Sequence, residues 1–143
     1  MLIQIERSRM IEGTIKFHKV VFRLPLPVQL FMGALIVFNM MAPLYFLSYL
    51  EAKVVLATFM VSAMLMFGLT GIFGFSRMLG TAHILWFPLL VFLYTRLHLH
   101  DTAESFGLWL RILIAINTVS LVFDTIDFIR YLRGDRAEMV EGL

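Results

Sequence analysis

The chain has 143 residues, of which 60% are hydrophobic and 15% charged, and its mean hydropathy is +0.87. Soluble domains average about 45–50% apolar and about 25% charged residues, so the composition excludes a soluble globular protein and a disordered one. The formal net charge of +2 does not indicate nucleic-acid binding, because the basic residues flank apolar stretches instead of forming a basic surface.

The first 24 residues form a basic arm in which charged and apolar side chains are mixed. Prolines at positions 25 and 27 end any helix that precedes them. Residues 14–24 are predicted to be extended, or to lie at the membrane interface with basic side chains near anionic head groups. A solvated, partly ordered arm is the alternative that we favour. No small-residue cleavage pattern follows the first apolar run, so we expect no removable signal peptide.

Four apolar stretches follow the arm, and each is long enough for a transmembrane helix. About 20 apolar residues cross a hydrocarbon core of about 30 Å. The stretches show no period of two, which strands of a β-barrel would require. They cover residues 26–49, 54–75, 78–95 and 106–129. The sequence therefore predicts an all-α integral membrane protein, with a four-helix up-down bundle and short connections over residues 25–130.

The distribution of basic residues predicts the orientation of this bundle. Nine of the 12 Lys and Arg residues lie in the arm, in the second connection and from Arg130 onward, all on one side of the predicted membrane. The opposite side carries only Lys53 and Arg96, with Arg111 a few residues inside the fourth stretch. Cytoplasmic loops carry the excess of Lys and Arg, so both termini are predicted to be cytoplasmic. The compact chain favours a prokaryotic inner membrane.

The first two stretches carry signals for helix packing. Pro43 is expected to kink the first helix, because its missing N–H leaves the carbonyl of Asn39 without a donor. Small residues on one face of the second helix allow another helix to approach closely. That face comprises Ala57, Val61, Met64, Gly68 and Gly71.

The fourth stretch carries a polar stripe. Its members follow spacings of three, four and three residues and so share one helical face: Asn117, Ser120, Asp124 and Asp127. Arg111, Thr118 and Thr125 recur on the opposite side. We therefore expect this helix to occupy a central or an inter-subunit position. Asn39 and Asn117 both fall near the middle of the membrane and are predicted to hydrogen-bond to each other.

Ionisable side chains are predicted to cluster in the inner leaflet. Asp124 and His83 each lie five residues from the cytoplasmic ends of their helices, so they are expected at similar depth. The predicted cluster comprises Arg77, His83, Asp124, Asp127 and Arg130. It is either a proton or ion site, in which His and Asp titrate in a shielded cavity, or a charge-paired clasp between two helices. The chain has no ladder of ionisable groups across the bilayer, which favours the clasp.

The outer connection contains metal-ligand types, namely His98, His100, Asp101 and Glu104. A structural zinc site needs four ligands at defined spacing, so an interfacial loop is the better interpretation. A bis-histidine haem needs two imidazoles within the membrane, and one chain supplies only His83. The absence of cysteine excludes disulfides and thiolate ligands. We predict no metal and no cofactor.

Three classes of function are compatible with these features. The favoured one is an accessory, assembly or interaction subunit without catalytic activity, which acts through transmembrane contacts with itself or with another membrane protein. The second is a small homo-oligomeric proton or ion channel or carrier that uses His83 and Asp124. The third is a membrane enzyme or cofactor-binding protein, which the missing catalytic motifs disfavour. Partners other than the lipid bilayer are not specified by the sequence, and nucleic acid is not expected.

Overall fold

The computed structural model describes residues 1–137, which form five helices and no strands. Four of them are long and apolar enough to cross a membrane, which confirms the predicted all-helical membrane class by length and composition. The bounds of these four lie within about four residues of the predicted stretches. Residues 138–143 of the predicted tail lie outside the described part. The helices are α1 (Leu2–Val21), α2 (Leu26–Tyr45), α3 (Leu50–Phe73), α4 (Arg77–Leu99) and α5 (Ser105–Leu132).

The basic arm is a helix, α1, that packs along α3. The prediction of an extended segment over residues 14–24 is therefore wrong, since α1 is helical over Leu2–Val21. Most of α1 is exposed, but its Val20 is fully buried. A Cβ built on Gly13 would lie 2.6 Å from the Gly71 nitrogen and would also collide with the Phe67 carbonyl. Glycine at position 13 thus permits the close approach. Two members of the face predicted on the second apolar helix, Gly68 and Gly71, lie against α1 of the same chain. The other three members, Ala57, Val61 and Met64, are exposed.

The predicted irregularity in α2 takes the form of a π-helical turn. This turn covers Val37–Met41, just before Pro43. Such a turn widens the hydrogen-bonding pattern and leaves a carbonyl without its usual donor. The side-chain amide of Asn39 donates to the Leu35 carbonyl at 2.9 Å. The asparagine side chain therefore supplies a donor to the carbonyl of Leu35, one turn earlier. The carbonyl that Pro43 leaves without a donor is that of Asn39 itself.

The helix α4 changes its winding along its length. It begins as a 3₁₀ helix over Arg77–His83 and continues as an α-helix over Trp86–Arg96. Ser76 caps the first part by accepting a hydrogen bond from the Met78 nitrogen at 3.4 Å. Pro88 lies in the first turn of the α-helical part, where a proline is tolerated because that turn needs no donor. The proline thus favours a new helical start instead of an uninterrupted α-helix.

The helices α4 and α5 run antiparallel. At one end, Arg77 of α4 pairs with Asp127 of α5. At the other end, Arg111 of α5 donates to the carbonyl of His100, just beyond α4, at 3.0 Å. The larger apolar core lies toward this second end and is built around Trp86, Leu93, Phe106, Leu110 and Leu113. The end that holds Arg77 has a smaller apolar cluster and leaves space for a cavity.

Candidate functional site

The polar stripe of α5 faces the interior of its own chain. Asn117 and Ser120 are buried, and the two aspartates of the stripe line a cavity. On the opposite side, the hydroxyls of Thr118 and Thr125 donate to carbonyls of α5 itself at 2.7 Å. These threonines need no partner outside the helix. Within the single chain, the polar stripe of α5 therefore faces inward.

A reciprocal amide pair joins α2 and α5. Asn39 Nδ2 donates to Asn117 Oδ1 at 2.9 Å, and Asn117 Nδ2 donates to Asn39 Oδ1 at 2.8 Å. Both side chains are buried. Each amide therefore satisfies the other where water has no access, and this pairing fixes the register between the two helices.

The central feature of the site is a hydrogen bond between His83 of α4 and Asp124 of α5. His83 Nδ1 lies 2.7 Å from Asp124 Oδ2, and the side chains are 13% and 18% exposed. The Trp86 ring stacks on the imidazole with centroids 4.1 Å apart. With Asp124 ionised, Nδ1 carries a proton and donates it. The described residues provide no hydrogen-bond partner for His83 Nε2.

A network of ion pairs extends from this site toward the chain end. Arg77 pairs with Asp127, and its Nε donates to Asp135 Oδ2 at 2.9 Å. Arg130 Nη2 lies 2.9 Å from the same oxygen. The five predicted cluster residues are thus brought to one end of the bundle, although Arg130 pairs with Asp135 and not with a carboxylate of the predicted set.

Sequence reasoning missed Asp135. It lies beyond the last predicted span, but the turn after α5 brings it back, and its nitrogen donates to the Arg130 carbonyl at 3.0 Å. Gly134 in that turn has φ of 105°, a conformation that favours glycine. A glycine just past the end of a helix is a usual C-terminal signal. That signal could have placed Asp135 near the cluster.

A cavity of about 500 Å³ lies beside the His83–Asp124 pair. Its polar wall comes from α4 and α5, and its remaining wall is apolar and comes mainly from α1, α2 and α3. Val28 of α2 and Phe123 of α5 line it and are 42% and 61% exposed, so the cavity is open between these helices. The polar residues in its wall are His83, Ser120, Asp124 and Asp127. The sequence did not indicate this cavity, because its wall combines residues that are distant in sequence, from Phe17 to Asp127.

A second buried charge lies at the opposite end of the bundle. Glu51, the second residue of α3, is 2% exposed. Its Oε1 accepts hydrogen bonds from Arg96 Nε at 2.7 Å and from His100 Nε2 at 2.9 Å. The sequence analysis did not identify Glu51 as part of a site. A lone acidic residue in the first turn of an apolar helix was the available signal, because helix N-termini favour carboxylates.

Of the four residues in the predicted outer connection that could bind a metal, only His100 hydrogen-bonds to Glu51. Within residues 1–137, no group of three or more His, Asp or Glu side chains is placed to hold a metal ion. Asp101 instead caps its own turn, since it accepts from the backbone N–H of Ala103 at 3.0 Å. This hydrogen bond, followed by that from the Thr102 hydroxyl, holds the pKa of the Asp101 carboxyl below its usual value.

Comparison with known proteins gives no relative from which to transfer a function: no protein-family model, curated protein or solved structure matches this chain.

Proposed function

We propose that this chain is a small polytopic membrane carrier without catalytic activity, and that the His83–Asp124 pair is its proton-binding site. One observation carries the proposal: the pair lies in the wall of a cavity of about 500 Å³. A carboxylate that orients an imidazole and leaves its second nitrogen unpartnered forms a site that gains and loses a proton. Intramembrane ionisable groups of this kind commonly mark transport pathways.

The alternative of a purely structural clasp accounts for fewer features of the site. A clasp needs each charge to meet its partner in a closely packed setting, as Glu51 does between Arg96 and His100. His83 and Asp124 line open space instead. Their arrangement supports a role in binding in addition to any contribution to stability.

We propose that a single chain forms the site. The sequence allowed an oligomer built around the fourth helix, but the stripe of α5 finds its partners within the chain, through Asn39, His83 and Arg77. No second copy is needed to satisfy it. In our proposal the four spans alternate in direction, and the bias of Lys and Arg places both termini in the cytoplasm of a prokaryotic cell. The cavity then lies in the cytoplasmic half of the inner membrane.

Proton flux in proteoliposomes under an imposed pH gradient tests this proposal. Asp124→Asn keeps an oxygen that accepts from His83 Nδ1 but cannot ionise, so we expect proton flux to fall by about tenfold or more. Asp101→Asn makes the same chemical change in an exposed loop and serves as the matched control. Thermal unfolding establishes that each variant is folded. Unchanged flux in folded Asp124→Asn, or a wild-type protein without flux, overturns the proposal.

An accessory subunit is a second candidate, and one observation favours it. An apolar groove of about 470 Å³ lies between α4 and α5, is lined by Phe87, Leu90, Thr118 and Val122 among others, and shares no residue with the cavity. A partner helix of another membrane protein fits such a surface. Two other features that suggested this role, the glycines of the α3 face and the polar stripe of α5, are used within the chain.

The groove can be tested separately from the cavity. Thr118→Trp fills the groove without altering any ionisable group. If the chain acts by docking, this variant loses complex formation in its native membrane while Asp124→Asn retains it. Complex formation that is unchanged in Thr118→Trp overturns the docking role.

A further inference from the structure

We infer that the cavity binds a cationic amphiphile, a molecule with a protonated amine head and an apolar chain, in exchange for the proton held by His83 and Asp124. The inference rests on the proposed carrier function and names its substrate class. It follows from the charges of the cluster, the chemistry of the cavity wall and the position of its opening.

When His83 is neutral, the side chains of this cluster carry one more negative charge than positive charges. The described cluster contains three carboxylates, two guanidinium groups and one imidazole: Asp124, Asp127, Asp135, Arg77, Arg130 and His83. With a neutral imidazole the group carries one net negative charge, and with a protonated imidazole it is neutral. An uncompensated charge is costly in an apolar medium. A proton on His83 or a ligand's ammonium group supplies the missing charge, and the two therefore compete.

The polar wall is suited to an ammonium head group. Three of its four side chains offer oxygen acceptors, namely Ser120, Asp124 and Asp127, and neutral His83 offers Nε2 as a fourth acceptor. Neither guanidinium of the cluster lines the cavity. The residues that α1, α2 and α3 contribute to the wall are apolar and contain no titratable group. A carboxylate or phosphate head would meet like charges here without a facing cation.

The rest of the cavity is suited to an apolar chain. Its volume falls in the range of small-molecule sites, about 300–1,000 Å³. Phenylalanine rings from α1, α2 and α5 line it, together with two methionines that adapt to irregular shapes: Phe17, Phe31, Phe123, Met32 and Met66. The opening between Val28 and Phe123 lies on the apolar surfaces of two membrane spans. A ligand that enters there is dissolved in the bilayer, as an amphiphile is.

The exchange needs no covalent step. The amine enters in its protonated form and places its N–H groups on the Asp124 and Asp127 carboxylates. The imidazolium of His83 gives its second proton to water, so one positive charge enters the site and one leaves. A pH gradient across the membrane would then drive the amine in the direction opposite to protons.

Quenching of tryptophan fluorescence tests the inference directly. Trp86 stacks on His83, and Trp109→Phe leaves it as the sole tryptophan of the chain. The probes are an ω-bromoalkyl amine and the alcohol and carboxylate of the same chain length, added to the full chain in nanodiscs. Trp86→Phe, which retains only Trp109, a residue that does not line the cavity, is the matched control.

We expect saturable quenching of Trp86 by the amine, with release of about one proton per amine bound in a weakly buffered solution. The alcohol should bind at least about tenfold more weakly than the amine, and the carboxylate should show no saturable binding. Equal quenching by all three probes means simple partition into the bilayer and overturns the inference. This comparison uses a chain with the cluster intact, so it does not depend on whether Asp124→Asn folds.

The outcome separates the two proposals. Selective amine binding in a protein whose proton flux does not depend on Asp124 supports the ligand class and overturns the carrier. Flux that depends on Asp124 without preference for the amine supports the carrier and overturns the ligand class.

Discussion

Gly80 of α4 lies directly against the backbone of Asp124 of α5, and a Cβ built on Gly80 would stand 2.5 Å from the Asp124 carbonyl oxygen. His83 follows three residues later on the same helix, and its ring reaches the Asp124 side chain at 2.7 Å. The close approach of the two backbones thus sets the distance between the imidazole and the carboxylate. Packing at a glycine and the chemistry of the site are therefore linked.

Gly80→Ala should impair the site without removing any titratable group. The added Cβ meets a backbone carbonyl, which cannot move aside as a flexible side chain would, so α4 and α5 must separate. We expect a loss of about 1–3 kcal/mol of stability, as for other overpacked positions. Proton flux should fall as His83 moves away from Asp124.

Gly33→Ala is the matched control for Gly80→Ala. Position 33 has no atom within 4 Å of a Cβ built on it, and alanine is the better helix former. Its thermal unfolding and flux should match those of the wild type or exceed them slightly. Equal behaviour of the two alanine variants would show that the contact at Gly80 does not control the site.

Gly13→Val should detach α1 from α3. The new side chain collides with the backbone of α3 at Phe67 and Gly71. Since Phe17 of α1 lines the cavity, we expect weaker amine binding as well as faster hydrogen exchange throughout α1. Mass spectrometry measures the rate of hydrogen exchange in α1, and Gly33→Ala serves as the control variant. Unchanged protection of α1 in Gly13→Val would mean that α1 does not depend on this contact.

The Asn39–Asn117 pair should show coupling in a double-mutant cycle. Asn117→Leu leaves the Asn39 amide without one of its partners, and a buried polar group left unsatisfied costs about 1–3 kcal/mol. Replacing both by leucine should cost less than the two single changes together. The expected coupling is about 0.6–1.7 kcal/mol, the range for side-chain hydrogen bonds between membrane helices.

Unfolding in mixed detergent micelles provides these energies, and Ser62→Ala serves as their control. Ser62 is buried on α3, and its hydroxyl has no hydrogen-bond partner among the described residues. Its removal should leave stability unchanged or raise it. Strict additivity of the two leucine variants would contradict the reciprocal pair.

The four long helices and the polar stripe of α5 could be predicted, because both depend only on residues that are close together in sequence. Apolar runs of sufficient length leave few alternatives to a membrane helix, and a spacing of three and four residues fixes which side chains share a face. Depth matching also put His83 and Asp124 at the same level, and the structure has them in contact.

The remaining features depend on tertiary packing, which one sequence does not reveal. The close approach of α1 to α3 at Gly13 requires a matching surface at Gly71, and neither glycine identifies its partner alone. The role of Glu51 could not be predicted because its partners, Arg96 and His100, are distant in sequence. The cavity is lined by residues from all five helices, so no single segment of the sequence indicates it.

Glu51→Gln should destabilise the end of the bundle that holds His100. The substitution removes the charge that faces the Arg96 guanidinium and the imidazole of His100. Breaking a buried ion pair by changing one partner costs about 3–5 kcal/mol, and the partial exposure of Arg96 favours the lower value. Glu104→Gln changes an exposed glutamate in the connection that contains His100, and it should have no effect on thermal unfolding. Equal stability of the two variants would contradict a structural role for Glu51.

The most direct test of the central claim is proton flux from vesicles that carry at most one chain each. The account places the whole proton site within a single chain, between His83 of α4 and Asp124 of α5. It predicts that flux per chain is independent of the protein-to-lipid ratio and that Asp124→Asn abolishes it at every ratio. Flux that is absent from vesicles with a single chain, and appears only when several chains share a vesicle, would contradict it.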